Sequence, residues 1–236
     1  MSLTGGRFYA RWVAANAWSE GLGLGGSLLL GHALASGMEA GTPDPATIVL
    51  GALLAVLAGT LLEGVLVGWA QGRVLAAGTP RISVRDWTRA TAVGAGIAWT
   101  LGMLPSTLMA LHDGGSGAAS PSLSAASVLL LAGAMGGVLG PILALAQWRV
   151  LRRASRRPAR WLLANAAAWS VGMVLLFAAM EQLEPDADPL AIALRIVLAC
   201  TLAGAAVGAV HGGVLIRMLA DGERAELSEI PAPLRR

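Results

Sequence analysis

Lysine is absent from this chain of 236 residues, so all seventeen basic side chains are arginine. A single cysteine, Cys200, excludes an intrachain disulfide and a thiolate metal cluster, and its place in an apolar run makes it a packing residue. Charge of either sign is scarce at 13% of residues, and no polar stretch is long enough to build a soluble domain. Histidine occurs only as His32, His112 and His211. The first falls at the outer end of an apolar run and the second in a loop, so no two can ligate one haem from opposite sides.

Apolar residues, by contrast, make up 56% of the chain, and the mean hydropathy is +0.66. Six apolar runs exceed the roughly 18 residues that mark a bilayer span. They cover about 12–34, 46–77, 87–111, 125–151, 161–180 and 189–219. The expected fold is an all-α, integral-membrane six-helix bundle occupying 1–222 as one domain, followed by a polar, disordered tail at 223–236. Ala33-Leu34-Ala35 has the small-residue pattern of a signal-peptidase site. The preceding run is too long for a signal peptide, however, and contains Asn16 and Glu20, so it reads as a first span.

The isoelectric point near 10.3 would suit a nucleic-acid binder, but the arginines cluster at the ends of apolar runs. That placement is a topology signal and excludes nucleic acid as a partner. The amino-terminal end, the turns between runs two and three and between four and five, and the carboxyl-terminal tail hold nearly all of them. The other three loops are acidic, with Glu39 and Asp44 in one and Glu181, Glu184, Asp186 and Asp188 in another. Both termini are therefore expected in the cytoplasm, and the protein in the bacterial inner membrane, with lipid as its standing partner and a homo-oligomer or a larger membrane complex as its further assembly. Arg152, Arg153, Arg156 and Arg157, in the densest charge run, mark the face for an anionic lipid or a docking partner.

One helical phrase recurs three times without gaps. It reads Gly64, Gly68, Gln71, Val74, Leu75, then Gly140, Ala144, Gln147, Val150, Leu151, then Gly204, Gly208, His211, Val214, Leu215. At 3.6 residues per turn the small residues and the polar one fall within about 60° of each other, which combines close helix approach with a hydrogen-bonding side chain. The odd runs also echo one another: Trp12 with Asn16, Trp87 with Thr91 and Trp161 with Asn165 share one spacing. Three tandem two-helix hairpins with approximate threefold symmetry account for both patterns. The three tryptophans read as interfacial anchors.

These residues resemble a widespread group of uncharacterised bacterial polytopic membrane proteins. Their helices repeat G-x-x-x-G-x-x-Q-x-x-V-L, an Arg-rich turn, and W-x-x-A with a later Trp and Gly. The best match runs from Gly140 to Leu151, through Arg152 to Arg160, and on from Trp161 through Trp169 to Gly172. The resemblance implies the six-span architecture and carries no activity with it. His211 departs from the pattern by standing where the other copies have Gln.

Two acids lie deep within these runs. Glu63 precedes Arg73 by ten residues and Glu20 follows Arg11 by nine. At about 1.5 Å per residue both sit roughly 14–15 Å from the basic edge, near the middle of a ~30 Å core. A lone carboxylate there costs at least ~2.5–3.5 kcal/mol, so each must be protonated, paired or facing water. Glu20 and Glu63 are the expected centre of a solute or ion site, with Asn16, Asn165, Gln71, Gln147 and His211 lining its basic side. Interhelical hydrogen bonding is the competing role for those five. No reactive constellation accompanies them. Gly133-Ala134-Met135-Gly136 followed by His211 is similar in order to the motif of rhomboid proteases, but Met135 replaces the nucleophilic serine and cannot attack a carbonyl. A non-enzymatic protein that binds or passes a small solute or ion, with proton coupling as one form of that role, is the leading expectation. An accessory, scaffold or lipid- or pigment-binding subunit is the alternative.

Overall fold

Apolar runs of this length, punctuated by Pro, Gly and Asp, fold as helices from end to end. The computed structural model describes residues 5–37, 44–112, 123–182 and 188–229, and among these there is no strand. Six helices follow in order: α1 Gly5–Gly37, α2 Pro45–Gly78, α3 Val84–His112, α4 Ala125–Leu151, α5 Arg160–Met180 and α6 Pro189–Glu229. Glu39, Pro43, Glu184, Asp186, the Gly/Ser-rich stretch 113–122 and the last residues 230–236 lie outside the described residues. The final helix runs on through 223–229, which composition alone assigns to the polar tail. Glu223, Arg224, Ala225, Glu226 and Leu227 are all good helix formers, and that propensity carries the helix beyond its apolar part.

Helix starts are capped by the side chains expected for them. Asp44 Oδ1 accepts from the Thr47 amide at 2.9 Å, with Pro45 in the first turn, and Ser124 Oγ accepts from the Ser127 amide at 3.2 Å. One irregularity has no counterpart in the hydropathy pattern. Within α2, residues Gly59–Gly64 form a π-helical turn.

Among the described residues, close backbone approaches run between chain neighbours and between α1 and α6, so the six helices close a ring in sequence order. The outer surface of that ring is strongly apolar: Leu130, Leu163 and Leu190 are 75%, 74% and 67% exposed. Such a surface demands a lipid environment. Helices α2 to α6 are each long and apolar enough to cross a membrane. Helix α1 has the length but is less apolar, because Asn16, Ser19, Glu20 and Ser27 lie along it. These four are buried, and α1 packs more extensively against α6 than any other pair of helices.

The ring encloses two apolar clusters. At the Arg-rich end Phe8, Leu75, Ile82, Leu151, Leu215 and Met218 gather around three tryptophans, and at the opposite end Leu24, Leu176, Ile196 and Cys200 pack together. The tryptophans are Trp12, Trp87 and Trp161. They are not interfacial anchors, for each is wholly buried. Their ring centroids stand 6.4, 6.2 and 6.0 Å apart at interplanar angles of 70°, 71° and 60°. Edge-to-face contact of this kind is favoured by the ring quadrupoles. A belt anchor would instead need its N–H in the headgroup layer, and here all three indole N–H groups are satisfied inside the protein.

Close approach around the ring depends on the small residues of the repeated phrase. A Cβ on Gly204 would lie 2.6 Å from the Cβ of Glu20 and 2.7 Å from the Asn16 carbonyl oxygen. On Gly68 it would lie 2.8 Å from the Thr91 Cβ. Both contacts are too short, so each glycine is required by the neighbouring helix rather than by its own conformation.

Trp161→Ala opens a void at the centre of the triad and is expected to cost about 3–5 kcal/mol, read as a fall in thermal midpoint in detergent, whereas Leu163→Ala on the lipid face leaves the midpoint nearly unchanged. The Thr47 amide and hydroxyl hold the Asp44 carboxyl below the ordinary carboxylate range. A depressed folded pKa contributes stability above the unfolded value of about 3.9 and loses it as pH falls through the folded value. The hydrogen-exchange protection of the Thr47 amide should therefore be flat above pH ~5 and decline only in acid.

Candidate functional site

On α1 the residues Trp12, Asn16, Glu20 and Leu24 are spaced by four, so they succeed one another along one helix face from the Arg-rich end inward. Each of the first three heads a layer of the bundle interior.

In the first layer the three indoles donate to the polar residues of the repeated phrase. Trp12 Nε1 donates to His211 Nδ1 at 3.1 Å, Trp87 Nε1 to Gln71 Oε1 at 3.0 Å, and Trp161 Nε1 to Gln147 Oε1 at 2.8 Å. His211 thus accepts at the position where the two glutamines accept. Its Nδ1 is occupied as an acceptor, so the ring hydrogen belongs on Nε2.

The second layer joins helices that the first leaves unconnected. Gln71 Nε2 donates to Asn16 Oδ1 at 2.8 Å, and Gln147 Nε2 to Thr91 Oγ1 at 2.9 Å. Asn16 and Asn165 each return a side-chain N–H to the tryptophan carbonyl four residues earlier, at 2.8 and 2.9 Å, and Thr91 does the same with its hydroxyl at 3.0 Å. Each glutamine therefore uses both ends of its amide, its oxygen toward the indole of the following helix and its N–H toward the preceding helix.

The third layer holds the acids. Glu20 is 2% exposed and Glu63 5% exposed, and both line the same small chamber. Glu63 projects from the π turn, and its Oε2 accepts from Trp99 Nε1 at 2.7 Å. The Trp99 ring lies against Gly59 at the start of that turn, where a Cβ would collide with it. Gly23 lies against the Glu63 backbone, which brings α1 close to α2 one turn beyond Glu20. One oxygen of Glu20, Oε2, is buried without a hydrogen-bond partner.

Two cavities meet at this level. A small chamber, with about 10 Å³ of room for a water centre, is lined by Asn16, Glu20, Glu63, Gln71, Gln147, Asn165 and His211 among others. That is the space of roughly one water molecule. All seven residues expected from sequence to form the solute site therefore face one chamber. A second, half-open cavity of about 270 Å³ lies on the side of the acids away from the Arg-rich end. Its wall is almost wholly apolar, with Glu63 at one side. Glu63, Ala95, Leu143 and Trp169 border both spaces.

The four arginines expected to dock a lipid or partner lie apart from this site, in and beside the turn between α4 and α5. Arg153 pairs with Asp86 of α3, and the Arg152 guanidinium stands 5.0 Å over the Trp148 ring. Exposed pairs of this sort contribute little to stability, about 0–1 kcal/mol each. Arg195, near the other end, donates to the Gln182 carbonyl at 3.2 Å.

Sequence reasoning missed Thr91 and Trp99 as site residues. Thr91 carried a signal, because it holds the place after Trp87 that Asn16 and Asn165 hold after their tryptophans. Trp99 carried none, since its bond to Glu63 depends on the π turn. Among the described residues no three His, Cys, Asp or Glu side chains gather as a metal-binding group. Compared with protein-family models, curated proteins and solved structures, the chain matches none.

His211→Gln recreates the acceptor found at the other two positions and should leave the thermal midpoint within a few degrees of wild type. His211→Leu strands the Trp12 N–H, and Gln147→Leu strands that of Trp161; each should cost about 1–3 kcal/mol. Melts of the three variants in one detergent read the difference directly.

Proposed function

We propose that this is a non-enzymatic, six-span protein of the bacterial cytoplasmic membrane that binds a small solute or ion within its bundle and passes it. Three tandem hairpins form the ring, and both termini face the cytoplasm. The arginines at one end support this orientation, and the recurrence of one indole N–H bond, to Gln71, Gln147 and His211, supports the repeat. On this reading α1 is the sixth span, its polar face turned inward and its sides covered by α2 and α6.

The observation that carries the proposal is the pair Glu20 and Glu63, buried where two cavities meet, with Glu20 Oε2 unpartnered. Ionisable groups at such depth are expensive, and a purely structural acid would have both oxygens engaged. The seven polar residues form the inner wall, and the larger cavity is the approach from the outer side.

The alternative reading, an accessory or scaffold subunit of a larger membrane complex, is favoured by one feature: the tryptophan triad closes the Arg-rich end. Native mass spectrometry of gently extracted protein separates the two. Binding or passage predicts the protein alone or with a small solute or ion that is lost in Glu63→Gln, while the variant keeps the wild-type elution volume and melting curve. Other subunits or lipid retained in Glu63→Gln would establish the accessory role.

A further inference from the structure

The larger cavity combines properties that select a class of ligand. Of the residues lining it, Glu63 is the only charged one, and no arginine lines either space. The field inside is therefore that of two acids, with Glu20 standing behind Glu63 in the chamber. A small hydrated metal ion is poorly served here. Hard cations need six or more oxygen ligands, and the outer cavity supplies an almost wholly apolar wall. What that wall supplies is flexible and aromatic surface from Met103, Met135, Met173, Trp99, Trp169 and Phe177. Methionines adapt to irregular apolar shapes, and aromatic faces attract ammonium groups once water is excluded. The volume, about 270 Å³, is near the lower end of the roughly 300–1,000 Å³ typical for organic ligands.

Resting on the reading of the bundle interior as a binding site, we propose that the ligand is a hydrophobic organic monocation. Its apolar body occupies the methionine and aromatic cavity, and its ammonium group meets Glu63, with the free oxygen of Glu20 beyond. The two glutamates divide the work. Glu63 is oriented by the Trp99 N–H and stands at the border of both spaces, so it makes the first contact. Glu20 stands behind it in the chamber, with an oxygen that no hydrogen bond engages. A neutral ligand of the same shape would fill the cavity and leave Glu63 without a counter-charge.

The test is equilibrium binding of radiolabelled benzyltrimethylammonium to the full chain in nanodiscs. Its neutral carbon isostere neopentylbenzene and the anion 3-phenylpropionate serve as competitors. The expected result is saturable binding of the cation, competition by neopentylbenzene at least tenfold weaker after correction for lipid partitioning, and none by 3-phenylpropionate. Glu63→Gln should weaken binding at least tenfold and Glu63→Asp less. Met135→Trp, which fills the cavity and leaves both acids in place, should abolish it. Should Glu63→Gln fail to fold, the comparison of cation with isostere on wild-type protein decides alone. Equal competition by cation and isostere overturns the charge selection while leaving an apolar ligand site. Saturable binding of sodium or another inorganic cation, lost in Glu63→Gln, without binding of benzyltrimethylammonium, overturns the ligand class and leaves the interior site standing. No saturable binding of any of these probes overturns this inference, and a native spectrum free of any solute then removes the reading beneath it.

Discussion

An indole N–H inside an apolar body has nowhere to go for a partner except to another side chain, and three such groups meet near the axis of this protein. Each is answered by Gln71, Gln147 or His211, and the glutamines spend their second amide group on Asn16 and Thr91. Remove that lattice and the glycine stripes would still let the helices approach, but nothing would set their rotation. With it in place, the face of α1 that carries Trp12 and Asn16 must also carry Glu20 inward one turn later. The position of the acids is thus a consequence of how the tryptophans are satisfied.

The second determinant is the π turn at Gly59–Gly64. An ordinary α-helix turns each residue by about 100°, and the wider π turn delays that rotation locally. Glu63 lies within this stretch, where Gly59 leaves room for the Trp99 ring that donates to it. A π turn in mid-helix and a buried acid at the same residues point to one use. The irregular backbone is retained where it serves a side chain that the surrounding helix packing alone would place differently.

Much of this was legible from the chain itself. The gapless phrase around Gln71, Gln147 and His211 identified the small-residue stripes and the polar position between them, and counting from Arg11 and Arg73 put Glu20 and Glu63 at one depth. Other features needed three dimensions. Trp12, Trp87 and Trp161 sit beside arginines in the sequence, which is the pattern of an interfacial belt; only their mutual contact distinguishes a plug from an anchor. The apolar cavity is assembled mainly from α3, α4 and α5 together with two leucines of α1, and no one segment signals it. The π turn leaves no mark in hydropathy, because Gly59 and Gly64 read equally well as ordinary packing glycines.

Interlocked rings behave differently from a row of independent side chains. Trp12 touches Trp87 and Trp161, Trp87 touches Trp161, and every one is tethered to an acceptor on the adjoining helix, so no single ring can swing aside while the other two stay put. A change at any one of the three rings is therefore felt on α1, α3 and α5 together with the helices bearing their acceptors.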